Sequence, residues 1–225
     1  LFSRVAMEKK KLLIVGMGPG IAFSVANRFA THGFEVTMMA RREEKLKEYE
    51  GFLRAKGFTA SSFKADVSDE KNFAQQLRDY MDRHGVPDVM LYNASSFQAG
   101  TPLTFNYDQL IADFKVNVAG AMLASQVVIP AMEKRGYGTC FFTGGGSATN
   151  PFLEGFSLSI GKAGMRNFVL MLAEECKKSP VHVATVTIHG MVQRGGRFDP
   201  EMIAEKYWEL HLQLPNERVA EIDLH

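Results

Sequence analysis

Apolar positions along the chain fall into two alternating patterns, short unbroken runs and longer stretches at helical spacing. Residues 11–15 form a short apolar run closed by Gly16, which predicts a buried strand. Residues 21–32 carry Val25, Ala26 and Phe29 on one side and stop at Gly33, which predicts a helix. The alternation continues with a strand at 34–40, a charged helix at 42–56 and a strand at 58–65. A helix at 69–84, capped by an acid or serine, and an apolar strand at 86–92 follow. A long helical pattern covers 108–135 and should bend or end near Pro130. A strand at 139–143, a helix at 155–178 and a strand at 181–188 complete the series.

The strands are continuously apolar, not alternating, which means a parallel sheet with helices on both faces. Right-handed crossovers then give a doubly wound α/β sheet in three α/β/α layers, with ligands expected at the carboxyl ends of its strands. No repeat or low-complexity linker interrupts it, so residues 7–225 read as a single domain. The tail from 198 to 225 breaks the alternation, with a short helix at 200–210 and an amphipathic end at 219–224. Residues 1–6 precede Met7, fit no element and read as a leftover of expression.

Composition narrows the partners. Lys plus Arg number 26 against 25 for Asp plus Glu, a net charge of +1 that gives no field for nucleic acid or an anionic membrane surface. The most apolar stretch, 116–129, is broken by Asn117, Ser125 and Gln126, so no membrane span is expected. Cys140 and Cys176 have neither disulfide nor zinc spacing and read as small buried hydrophobes; so few cysteines suit a cytoplasmic protein.

The chemistry-bearing segment is Gly16-Met17-Gly18-Pro19-Gly20-Ile21-Ala22, between the first strand and the first helix. Glycines there let the backbone approach a pyrophosphate, and the helix start presents N–H groups to it. An NAD-specific site places an acid after the second strand. Here the sequence is Met39-Ala40-Arg41-Arg42, and Arg41 suits a 2′-phosphate through two parallel hydrogen bonds. The expected cofactor is therefore NADP(H), with NAD(H) as second choice.

Across residues 10–192 these features resemble the short-chain dehydrogenase/reductase family, whose fold is the Rossmann type. Gly16, Gly20 and Ile21 match its glycine turn, with Val15 replacing the Thr and Ala22 the last Gly. The resemblance implies that Asp66-Val67 holds the adenine amino group and that Asn93-Ala94 is the core of the N-N-A-G motif, with Tyr92 and Ser95 as its outer residues. It implies that Asn117 supports a proton-relay water and that Lys162 holds the nicotinamide ribose. The family's proton-donating Tyr, four residues before the lysine, is here Leu158; its carbonyl-polarising Ser falls at Gly145. The reading is an NADP(H)-dependent oxidoreductase of a carbonyl, alcohol or activated alkene, with a non-standard proton donor. The alternative is a catalytically silent NADP(H)-binding protein. Ser147, Ser157, Ser159, Tyr92 and His189 are the candidate substitute donors, Ser147 foremost. Phe152, Phe156, Met191, Tyr207 and Trp208 are expected to line an apolar substrate pocket. The apolar stretch 168–173 is expected at an interface of a homodimer or homotetramer, or beneath the tail.

Overall fold

Strand and helix alternate through all of residues 9–225, the part that the computed structural model describes. The reading of residues 1–6 lies outside it. The elements are β1 (Lys11–Val15), α1 (Ile21–Thr31), β2 (Glu35–Ala40), α2 (Glu43–Ala55), β3 (Ala60–Lys64), α3 (Glu70–His84) and β4 (Val89–Tyr92). Then come α4 (Tyr107–Phe114), a π-helical segment (Lys115–Ala119), α5 (Gly120–Arg135), β5 (Gly138–Thr143), α6 (Phe156–Glu175), β6 (Val181–Ile188), α7 (Pro200–Leu212) and β7 (Glu221–Leu224). The strands form one parallel sheet in the order β3-β2-β1-β4-β5-β6-β7. The order reverses between β1 and β4, so the loops after these two strands diverge and leave a crevice there.

Period-two alternation divides β1 between two cores. Leu12 and Ile14 face α1 and α7, among Val25, Phe29, Ile203 and Leu210. Leu13 and Val15 face α3, α5 and α6, among Phe73, Leu77, Val128 and Val169. Every residue of β1 after Lys11 is buried, which is why the strand reads as a continuous apolar run. Asp69 caps α3 by accepting from the Asn72 N–H, as its sequence position predicts. Cys140 and Cys176 are free thiols, both buried.

Two expectations are corrected. The tail does not break the alternation: α7 packs against α1, and the amphipathic end is a seventh strand, parallel to β6. Aromatic packing fixes that arrangement, with Trp208 stacked on His32 at 3.9 Å between centroids and edge-on to Phe29. The long helix does not end at Pro130, which sits within α5 on an exposed position. The irregularity comes earlier, as the π-helical segment around Asn117. The stretch 168–173 lies on the face of the sheet opposite α7, with Val169 buried and Met171 exposed, and the end of the tail reaches the same helix through the Arg166–Glu221 pair. The run Tyr107–Arg135 is long and apolar enough to cross a membrane. In this fold its Ala121, Ala124, Val128 and Met132 are part of the core against the sheet.

Candidate active site

Gly16 leaves β1 at φ +92°, and a Cβ there would come 2.2 Å from the Ala94 backbone nitrogen. Only glycine allows both that conformation and that approach. Its N–H and that of Met17 both donate to the Met39 carbonyl, at 2.9 and 3.0 Å, which fixes the turn against β2. Beyond it the chain opens: a Cβ on Gly18 or Gly20 would meet nothing within 4 Å. Gly20 is the N-cap of α1, whose first turn leaves N–H groups without helical acceptors. The turn fronts a cavity of about 660 Å³ whose lining includes Gly16, Gly18, Arg41, Val67, Asn93 and Ala94. Six sequence-predicted residues thus meet in one crevice at the carboxyl ends of β1, β2 and β4.

Three others are not part of its lining. Ile21 packs against the core. Asp66 accepts from both the N–H and the hydroxyl of Ser68, at 2.9 and 2.7 Å. Burial works to raise its pKa, but those hydrogen bonds and the Arg41 charge prevail and hold the carboxyl below its ordinary value. Asn117 is buried, and its side chain is engaged twice by Ser96, accepting from the N–H at 2.7 Å and donating to the carbonyl at 2.9 Å.

A second recess, of about 480 Å³, is lined by Gly145, Gly146, Ser147, Leu158, Lys162, His189 and His225 among others. Lys162 donates to the Thr143 carbonyl at 2.7 Å, and burial pushes its pKa down to about 8. Leu158 lies one helical turn before Lys162 on α6 and shares the recess. The two cavities are joined by hydrogen bonds. Asn93 donates to the Gly16 carbonyl at 2.9 Å and accepts from the Thr143 hydroxyl at 2.8 Å, while the Thr143 carbonyl holds Lys162. Asn93 therefore serves the site by tying the glycine turn to β5.

The expected substitute donors fare differently. Ser147 lines the recess. Ser157 is buried and donates to Asp113 at 2.7 Å, and Ser159 is buried too. Tyr92 is a core residue: its hydroxyl donates to the Val116 carbonyl at 2.6 Å, and burial pushes its pKa far up. His189 lines the recess with its Nε2 2.6 Å from Asp223 Oδ1. Of the expected pocket aromatics, Phe152 lines the recess, but Tyr207 and Trp208 do not. Tyr207 is fully buried under β5 with its hydroxyl on the Phe142 carbonyl, and Trp208 packs on α1, because α7 docks by its aromatic side to that face of the sheet. Sequence reasoning missed Asp223 and His225; the alternation of Glu221-Ile222-Asp223-Leu224-His225 was the available signal.

A doubly wound parallel sheet with a glycine turn at its switch point defines a nucleotide-binding, oxidoreductase-type architecture. A family model described as short chain dehydrogenase matches residues 10–194, and the chain belongs to that family. It is 29% identical over 189 residues to an uncharacterised oxidoreductase, YxbG, of Bacillus subtilis, a match covering 80% of this chain and 66% of that protein's length. Its structure is similar to that of a metagenomic short-chain oxidoreductase in complex with NADP, at a TM-score of 0.88 and 25% identity over 96% of each chain. In fold it also matches an alcohol dehydrogenase from Thermococcus sibiricus complexed with 5-hydroxy-NADP, at a TM-score of 0.83 and 19% identity over 96% of this chain and 95% of that one.

Proposed function

We propose that this protein is an NADP(H)-dependent oxidoreductase acting on a small carbonyl, alcohol or activated alkene, with a proton donor other than tyrosine. The observation that carries the reading is the open glycine cradle joined by Asn93 and Thr143 to Lys162. The residues fit the dinucleotide: Gly18 and Gly20 leave open space in front of the α1 N-terminus, and Arg41 supplies a guanidinium at the same crevice. Gly16, Gly18 and Gly20 would seat the pyrophosphate, Ile21 would close the turn against the core, and Arg41 would grip the 2′-phosphate. Asp66 and Val67 would meet the adenine, Asn93 and Ala94 would form the wall behind it, and Lys162 would hold the nicotinamide ribose. Bound there, NADPH supplies a hydride for an electrophilic carbon. The chain must then supply a proton. Lys162, whose pKa burial lowers to about 8, would do that work near neutral pH. Ser147, which lines the recess, would donate to the substrate oxygen. Asn117, held by Ser96, sets the course of the π-helical segment alongside α6.

The relatives support this reading, since two of the similar structures hold an NADP-type dinucleotide. Calorimetry with NADPH and NADH tests it. Arg41→Ala should weaken NADPH by about tenfold or more and leave NADH nearly unchanged. Equal weakening of both would remove the reason for choosing NADP(H). A second reading, a silent NADP(H)-binding protein, is favoured by Leu158 in the recess where a phenol would stand. Following NADPH absorbance over a panel of ketones, aldehydes and enals separates the two: clear binding with no turnover on any of them selects the silent one.

A further inference from the structure

The register of β6 and β7 gathers three side chains that the dinucleotide reading does not use. Thr187 pairs with Asp223 and Ile188 with Leu224. One residue on, the His189 N–H donates to the Leu224 carbonyl at 2.9 Å, so the ladder brings His189 alongside His225. Alternation puts Asp223 and His225 on one face of the strand. The Asp223 carboxylate then lies between two imidazoles, with Oδ1 2.6 Å from His189 Nε2 and Oδ2 3.2 Å from His225 Nε2. The rings are stacked with centroids 4.0 Å apart and planes at 21°, and the three ligand atoms all lie within 4.8 Å of one another.

We propose that His189, Asp223 and His225 bind a divalent transition-metal ion of the zinc or cobalt(II) kind. An ion held by bonds of about 2.0–2.1 Å needs donors a little over about 3 Å apart, converging on one point. The Asp223–His225 contact of 3.2 Å is at that spacing, and the 2.6 Å Asp223–His189 contact is a hydrogen bond that a bound ion would replace, moving the two donors apart. Two imidazoles and one carboxylate select zinc-like ions over magnesium or calcium, which take oxygen donors. Three protein ligands also leave a fourth position for water or for an oxygen of a bound molecule. The site is braced on both strands. The His189 ring packs against Gly146, where a Cβ would come 2.7 Å from Nδ1. Glu221, on the same face of β7, is held by Arg166 of α6 and by Thr187 of β6. Asp223 and His225 are exposed, so an ion has a path in, and His189 and His225 line the recess that holds Lys162. The inference is independent of the dinucleotide reading.

Titrating the full chain, free of any affinity tag, with Co²⁺ tests it. The expected result is one equivalent bound, with visible d–d absorption that Zn²⁺ abolishes. His225→Ala and Asp223→Asn should each lower the affinity by about tenfold or more. Circular dichroism of both variants should match the parent, because both side chains are at the surface. Absence of stoichiometric Co²⁺ binding overturns the proposal, as does binding of equal strength in the two variants.

Discussion

Lys162 has two demands on it, and its environment bears on both. Burial disfavours its ammonium and pushes the pKa from 10.5 down to about 8, so it can give up a proton near neutrality. If it supplies the proton for reduction, the protonated form is the active one. The kcat/KM of carbonyl reduction should then be highest below pH 8 and fall as the pH rises through it. Lys162→Met should lower the rate by about 10²-fold or more and abolish that limb. A retained alkaline limb in the variant would assign the proton elsewhere. Leu158 gives a complementary prediction. A Cβ at Gly145 would sit 3.5 Å from the Lys162 methylenes, an ordinary contact, so Gly145→Ser fits. Together with Leu158→Tyr it should raise reductase activity by about 10²-fold; an unchanged rate would show that proton supply does not limit turnover. At this scale the sequence was informative wherever backbone geometry is the chemistry. Gly16 can be read from its spacing because only glycine tolerates that turn. Tyr92 could not be placed, since an aromatic at a strand end fits a cofactor wall and a core equally well, and only the Val116 carbonyl decides.

Among the elements, β7 was the least legible. Its four residues alternate in character and none is buried, unlike β4, β5 and β6, which are buried along their whole length. Its pairing with β6 spans more than thirty positions (Thr185 to Glu221, for example), which no local pattern encodes. The π-helical segment was hidden for a related reason, because Asn117 reaches its partner Ser96 only through the folded loop after β4. The bidentate pair of Arg166 and Glu221, at 2.8 and 2.6 Å, fastens β7 to α6. Burial works to raise the Glu221 pKa, but the hydrogen bonds from Arg166 and Thr187 outweigh it and hold the group below 4.5. Its contribution is therefore complete above its unfolded pKa and is lost as the pH falls through the lower folded value. Glu221→Gln should cost about 1 kcal/mol at neutral pH, discounted for partial exposure, and should flatten the acid limb of stability. Urea denaturation at pH 7 and pH 4 measures both effects; an equal loss at the two pH values would count against the ion pair.

For the molecule as a whole, the surface of α4 and α6 is the feature to account for. Ile111, Phe114, Ile160 and Met171 are exposed there, on two helices packed against each other. Exposed apolar side chains on two packed helices favour a second copy as their cover. Sedimentation should find a dimer or tetramer, and Met171→Arg with Ile111→Arg should shift it to monomer. A parent chain that sediments as a monomer would assign the surface to another partner. The three-layer architecture was readable from the alternation of runs and periods, because a parallel sheet forces that alternation on any chain that builds it.

A short edge strand carries unusual responsibility here. Because side chains alternate from face to face, sliding β7 by one position against its neighbour would turn Glu221, Asp223 and His225 away together and present Ile222 and Leu224 in their place. Mispairing of this one ribbon would thus cost the clasp to α6 and the imidazole–carboxylate cluster in a single event, while the distant glycine turn stayed intact.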